Sequence, residues 1–263
     1  MKKRRTPIKM KKGIYILPNL FTTGNLFCGF YAIISVFQEK FEYAAYAIIL
    51  ASVFDVLDGI VARLSGATSK FGVQYDSLAD LVSFGIAPAL LAFSWALRPY
   101  GKFGWLAAFL FVACGALRLA RYNVLAASGE TKYFKGLPIP AAASMIAVTI
   151  LLYFELIETG GVKDIIILVM IYTLAFLMVS NIRYFSLKEL GLATRKPLSS
   201  FVFVLLSVIV VAIVIAMAPA LMLFCSVLFY VLAGPARMIL LWHKKRVLRR
   251  MEPIPEEDLV IRG

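Results

Sequence analysis

Histidine occurs once in the 263 residues, at His243, cysteine three times, at Cys28, Cys114 and Cys225, and charged residues make up only 16%. Each shortage excludes something. With one histidine, placed in a basic tail, no imidazole base or phosphohistidine works within the apolar stretches. A proton acceptor there must be a carboxylate, lysine, tyrosine or water. Three cysteines, far apart and each inside an apolar run, make neither a disulfide framework nor a zinc site. They read as buried free thiols. Soluble domains carry about 25% charged residues, so 16% charged with 61% hydrophobic is not a water-soluble globule. The same apolar richness excludes intrinsic disorder.

What is present is positive charge: 28 Lys and Arg against 15 Asp and Glu, a formal +13. A nucleic-acid-binding domain would spread such charge over a polar surface, which this chain lacks, so no nucleic-acid partner is expected. The arrangement left is an all-α, polytopic membrane bundle with its cations in the loops. About eight spans are expected, at 20–38, 43–63, 73–97, 103–120, 137–155, 164–180, 198–218 and 220–241. No cleavable signal peptide is read at the start. Eight spans put both termini on one side. Of the 28 cations, Lys40, Arg98, Lys102 and Lys163 alone fall on the other side. That asymmetry places both termini in the cytoplasm of an inner-membrane protein. The chain reads as one domain over 1–263, with a basic segment at 1–19 and a cytoplasmic tail at 242–263.

Four aspartates stand where apolar sequence is expected: Asp55 and Asp58 late in the second span, Asp76 and Asp80 early in the third. Ionisable residues in spans are expensive and mark function by default. The first pair is spaced i,i+3 and the second i,i+4, so each shares one helix face. The helices are antiparallel neighbours, so all four carboxylates meet near the cytoplasmic surface. Four like charges so close need counter-charge. Arg63 is one source, and divalent cations, which prefer carboxylate oxygens, are a better one. Two ions about 3.5–4 Å apart would stabilise the attacking and leaving oxygens of a phosphoryl-type displacement. Gly59, Ala62 and Gly72 extend the carboxylate faces with residues of little bulk, leaving room against the backbone.

The run Asp55-x2-Asp58-Gly59-x2-Ala62-Arg63-x8-Gly72-x3-Asp76-x3-Asp80 resembles the signature of the CDP-alcohol phosphatidyltransferases. The resemblance implies displacement of CMP from a CDP-activated lipid by an alcohol, with a pair of Mg²⁺ or Mn²⁺ ions. By this analogy Asp55, Asp58, Asp76 and Asp80 are metal ligands, and Asp80 is also the base for the incoming hydroxyl. Gly59, Ala62, Arg63 and Gly72 would face the CDP-lipid. Four further blocks, Pro18–Gly29, Leu81–Pro88, Arg118–Asn123 and Phe134–Pro140, together resemble the membrane-embedded phosphatidylserine synthases within that family. L-serine is then the acceptor and CDP-diacylglycerol the donor. Serine brings a carboxylate that calls for cationic donors, and Arg118, Arg121, Asn123 and Lys135 are the candidates. Each also suits topology or lipid headgroup contact. Asn19 and Thr22 are candidates for the cytidine or its phosphate, or for capping the first span.

Other readings stay open at this stage. The acceptor could be glycerol 3-phosphate or inositol phosphate, and the donor could carry ether-linked chains. A non-enzymatic alternative is an ion-coupled transporter, although that would place carboxylates nearer the midplane. A homodimer is common in the family.

Overall fold

The computed structural model describes residues 16–65, 69–127, 136–157, 165–182, 184 and 220–251. Among them there is no β-strand. The helices are α1 (Ile16–Phe37), α2 (Phe41–Leu64) and α3 (Lys70–Asp80), then α4 (Ala87–Ala92), α5 (Lys102–Ala127), α6 (Ile139–Ile157), α7 (Ile165–Val179) and α8 (Ala220–Met251). Between α3 and α4 the helix widens into a π stretch at Leu81–Ile86, and a second follows at Phe93–Leu97. Among the described residues, six helical segments are long and apolar enough to cross a membrane: 18–37, 41–64, 71–100, 102–125, 139–156 and 220–238. The stretch expected at 164–180 is present as the shorter apolar helix Ile165–Val179. The span expected at 198–218, both chain termini and Lys135 lie outside the described residues.

Small residues let these helices approach, which is how apolar helices find specific partners in lipid. Ala44, Ala45, Ala47, Ile48 and Ala51 of α2 are buried, and Ala32 of α1 is buried with them in one core. The α1–α2 turn closes with Glu39 at φ 59°. Its N–H bonds to Val36 O at 3.0 Å, and the Lys40 N–H to Ser35 O at 2.9 Å. This is a left-handed helix end, where glycine is the usual residue.

One close approach of backbones is at Gly29. A side-chain carbon there would overlap Ser83 Oγ and lie 2.7 Å from Ser83 Cα. Only a residue without Cβ lets α1 lie on the π stretch that follows Asp80. A second such contact is Gly136, at φ 87°, whose N–H bonds to Ile182 O at 2.8 Å. The adjacent Leu137 N–H bonds to Leu177 O at 3.0 Å, which ties the start of α6 to the end of α7.

The remaining helix, α8, packs on α6 with one face only. Its first N–H, at Ala220, donates to the Glu155 carboxylate at 2.6 Å. Lower down, the Tyr184 hydroxyl donates to Val231 O at 3.1 Å. Burial, with Tyr230 beside it, pushes the Tyr184 phenol up to about 12, so it stays a neutral donor. The one-sided packing corrects the reading of the cysteines. All three are free, but only Cys28 is buried; Cys114 is half-buried and Cys225 is exposed on α8.

Candidate active site

Local sequence starts each site helix in the right place. The Ser69 side chain caps α3 by accepting the Gly72 N–H at 2.9 Å, satisfying one of the donors every helix start leaves open. From that start, Asp76 and Asp80 come one turn apart on the face toward α1, α2 and α5. Asp55 and Asp58 come from the second half of α2, running the other way.

One oxygen from each of Asp55, Asp76 and Asp80 lies within 4.8 Å of the other two. A divalent cation with oxygens at about 2.0–2.6 Å holds opposing ligands up to roughly 4–5 Å apart, so this set fits one. A second observation agrees: Asp76 Oδ1 is buried and has no hydrogen-bond partner among the described residues. Asp58 stands outside this trio. It is buried, and its Oδ2 accepts a hydrogen bond from Thr22 Oγ1 at 3.0 Å. Thr22 Oγ1 also lies 3.2 Å from the Pro18 carbonyl oxygen. The structure therefore brings three of the four aspartates into one cation-competent cluster, with the fourth beside Asp76 and hydrogen-bonded to Thr22 of α1.

The trio opens on a cavity of about 240 Å³ between α3, α5 and the start of α6. Asp55, Asp76 and Asp80 form one wall, Arg118, Tyr122 and Asn123 another, and Pro138, Ile139 and Pro140 close the third. The Arg118 Nε is buried and unpartnered among the described residues. A buried N–H left without an acceptor is costly, and this one belongs to a side chain that lines the same cavity as the carboxylates. Asn123 is held by Ser77, with Nδ2 to Oγ at 3.0 Å.

The other expected residues divide. Gly59 has open space where a Cβ would stand, the nearest atom being Arg63 Nη2 at 3.7 Å. At Gly72 a Cβ would come 3.1 Å from Ser69 Oγ and 3.6 Å from Asn19 Oδ1, so Asn19 does reach the glycine face. Ala62 is half-buried beside them. Arg63 is exposed and turns back on its own helix, its Nε donating to Gly59 O at 2.7 Å. Among the described residues, the cation that lines the cavity with the trio is Arg118. Arg121, one turn on, does not line the cavity; its Nη2 donates to Asn181 Oδ1 at 2.8 Å.

Two residues that sequence reasoning passed over belong here. Asn25 Nδ2 donates to Asp80 Oδ1 at 3.0 Å, and Ser83 Oγ donates to the Asn25 carbonyl at 2.9 Å. The signal was available: Thr22 and Asn25 are i,i+3 polar residues within an apolar span, on one face.

The fold and site define a polytopic, all-helical membrane protein with an acidic, cation-competent cavity at one end of its spans. Residues 15–179 match the CDP-alcohol phosphatidyltransferase family, and the chain belongs to that family. It is 40% identical over 176 residues to a CDP-diacylglycerol–serine O-phosphatidyltransferase of Helicobacter pylori, covering 67% of this chain and 74% of that one. The enzyme of the same name from Bacillus subtilis is 34% identical over 168 residues, or 64% of this chain and 89% of its own. An archaetidylserine synthase of Methanothermobacter thermautotrophicus is 37% identical over 180 residues, or 68% and 73% of the two chains.

Proposed function

We propose that this chain transfers the phosphatidyl group of CDP-diacylglycerol to the hydroxyl of L-serine, giving phosphatidylserine and CMP, at the cytoplasmic face of the inner membrane. The observation that carries this is the cavity itself. Three convergent carboxylates share it with one half-buried arginine, Arg118, whose buried Nε has no acceptor among the described residues. That combination suits a substrate pair with a diphosphate on one side and a free carboxylate on the other. Serine as acceptor is supported further by the relatives, all three of whose names carry it.

In this reading the cation-holding residues are Asp55, Asp76 and Asp80, with Asp58 completing a second site from the same helix as Asp55. Mg²⁺ or Mn²⁺ bound there neutralises the diphosphate and the departing CMP oxygen. The face of small residues at Gly59, Ala62 and Gly72 receives the cytidine nucleotide, with Asn19 and Thr22 at its edge and Arg63 beside it. Arg118 holds the serine carboxylate in a fork of donors. Asn123, fixed by Ser77, borders the same pocket, and the charges of Arg121 and Lys135 favour an anionic acceptor without being assigned a contact with it. The serine hydroxyl then attacks the lipid-side phosphorus. One P–O bond forms, the P–O bond to CMP breaks, and the hydroxyl proton passes to Asp80.

The test is CMP release by the purified full chain with Mg²⁺ or Mn²⁺ and CDP-diacylglycerol, across L-serine, glycerol 3-phosphate and inositol phosphate. Release with serine alone supports the reading; release with a phosphorylated acceptor instead overturns the acceptor assignment. An ether-linked CDP donor run in parallel decides which lipid is used. Serine accumulation in proteoliposomes without CMP release would establish the transporter alternative.

A further inference from the structure

Asn25 is a buried amide whose oxygen has no partner among the described residues. It is 0% exposed, and its Nδ2 donates to Asp80 Oδ1 at 3.0 Å. A buried acceptor without a donor costs free energy that an apolar side chain of similar size would avoid. Packing therefore does not explain an asparagine here. The contact with Asp80 does. Turned over, the amide would set Oδ1 against a carboxylate oxygen, two acceptors face to face, so the carboxylate and the amide orient one another.

The mounting around this contact is stiff. The Asn25 carbonyl accepts from Ser83 Oγ at 2.9 Å, and Gly29, one turn further along α1, lies directly on Ser83. Helix α1 thus grips the chain at Asp80 and again three residues later, across the start of the π stretch. Asp80 lines the cavity and Asn25 does not; the amide reaches the carboxylate from behind.

We infer that Asn25 is a positioning residue for the transfer reaction, its amide holding Asp80 Oδ1 so that the other carboxylate oxygen is presented to the acceptor hydroxyl in the cavity. This rests on the proposed role of Asp80 as the base. Partners that orient a working carboxylate without touching substrate commonly change activity by about 10- to 100-fold when removed, and small misplacements at the reacting centre act on turnover.

The experiment compares Asn25→Leu with wild type in the full chain, in detergent or proteoliposomes, following CMP release against serine and against CDP-diacylglycerol. The expected result is a thermal midpoint at or above wild type, KM for both substrates within about twofold, and kcat lower by about 10- to 100-fold. Asn25→Ala, which removes the donor without adding bulk, is measured in parallel and should lose kcat likewise. A kcat within twofold of wild type in either folded variant overturns the inference. So does a rise in the KM for CDP-diacylglycerol with kcat intact, because Asn25 would then touch the donor lipid. Asp80→Asn, run beside them, separates the two levels. If it turns over normally, the base assignment has failed. If it is dead while Asn25→Leu is fully active, only the positioning role has failed.

Discussion

Replacing Arg118 with alanine separates the acceptor site from everything else in the cavity. Its side chain lines the cavity of about 240 Å³ with Asp55, Asp76 and Asp80, and its Nε is buried without a partner among the described residues. A charge-assisted hydrogen bond to a serine carboxylate contributes about 1.5–3 kcal/mol. At one factor of ten per 1.4 kcal/mol, its loss raises the KM for serine about 10- to 140-fold. Turnover can fall as well, because the same change strips a positive charge from the carboxylates. The decisive readout is therefore discrimination, measured as CMP release with L-serine against serinol, which has the amine and hydroxyl but no carboxylate. Wild type should prefer serine strongly, and Arg118→Ala should use both about equally poorly. Arg121→Ala should leave that preference intact, since its guanidinium is spent on Asn181. Retained discrimination in Arg118→Ala, or its loss in Arg121→Ala, refutes the assignment. A rise confined to the KM for CDP-diacylglycerol would make Arg118 a reader of phosphate instead.

Washing the enzyme with a chelator should abolish CMP release, and Mg²⁺ or Mn²⁺ should restore it; full turnover after chelation would remove the cation from the reading. Gly29→Ala ought to destabilise by about 1–3 kcal/mol in thermal unfolding, because the new methyl meets Ser83 backbone. Elsewhere in a helix the same change stabilises by about 1 kcal/mol, so a stabilised variant would disprove the close approach. Gly59→Ala has room for its methyl and should fold as well as wild type while raising the KM for CDP-diacylglycerol; an unchanged KM would move the nucleotide elsewhere. Glu39→Gly, at φ 59°, should stabilise by about 0.5–1 kcal/mol in the same unfolding assay, because only glycine adopts that backbone without strain.

The acidic site was visible in the chain because its spacing is short-range. Asp55 with Asp58, and Asp76 with Asp80, need only a helix to share a face, and charges in apolar sequence draw attention by themselves. Residues that work across helices left a fainter trace. Asn25 and Asp80 are 55 positions apart, and nothing in either neighbourhood says that they meet. Arg118 and Arg121 have the same chemistry, one turn apart, near one end of the same helix. Which of them enters the cavity depends on how α5 is rotated against α3 and α6, and that rotation is set by side-chain packing along the whole interface. Arg63 looked like a counter-charge by proximity in sequence, yet it is exposed and folds onto Gly59 O.

The sequence alone determined that this is a helical membrane protein, where most of its spans lie, and that four carboxylates stand in two pairs within them, because hydrophobic length and helical period are local properties. Tertiary structure decided which three of those carboxylates bring their oxygens within 4.8 Å of one another, which arginine shares their cavity, and that an amide from α1 bonds to Asp80 from outside that cavity. Those choices depend on interhelical distances of a few ångströms, fixed by contacts such as Gly29 on Ser83, which no one-dimensional pattern encodes.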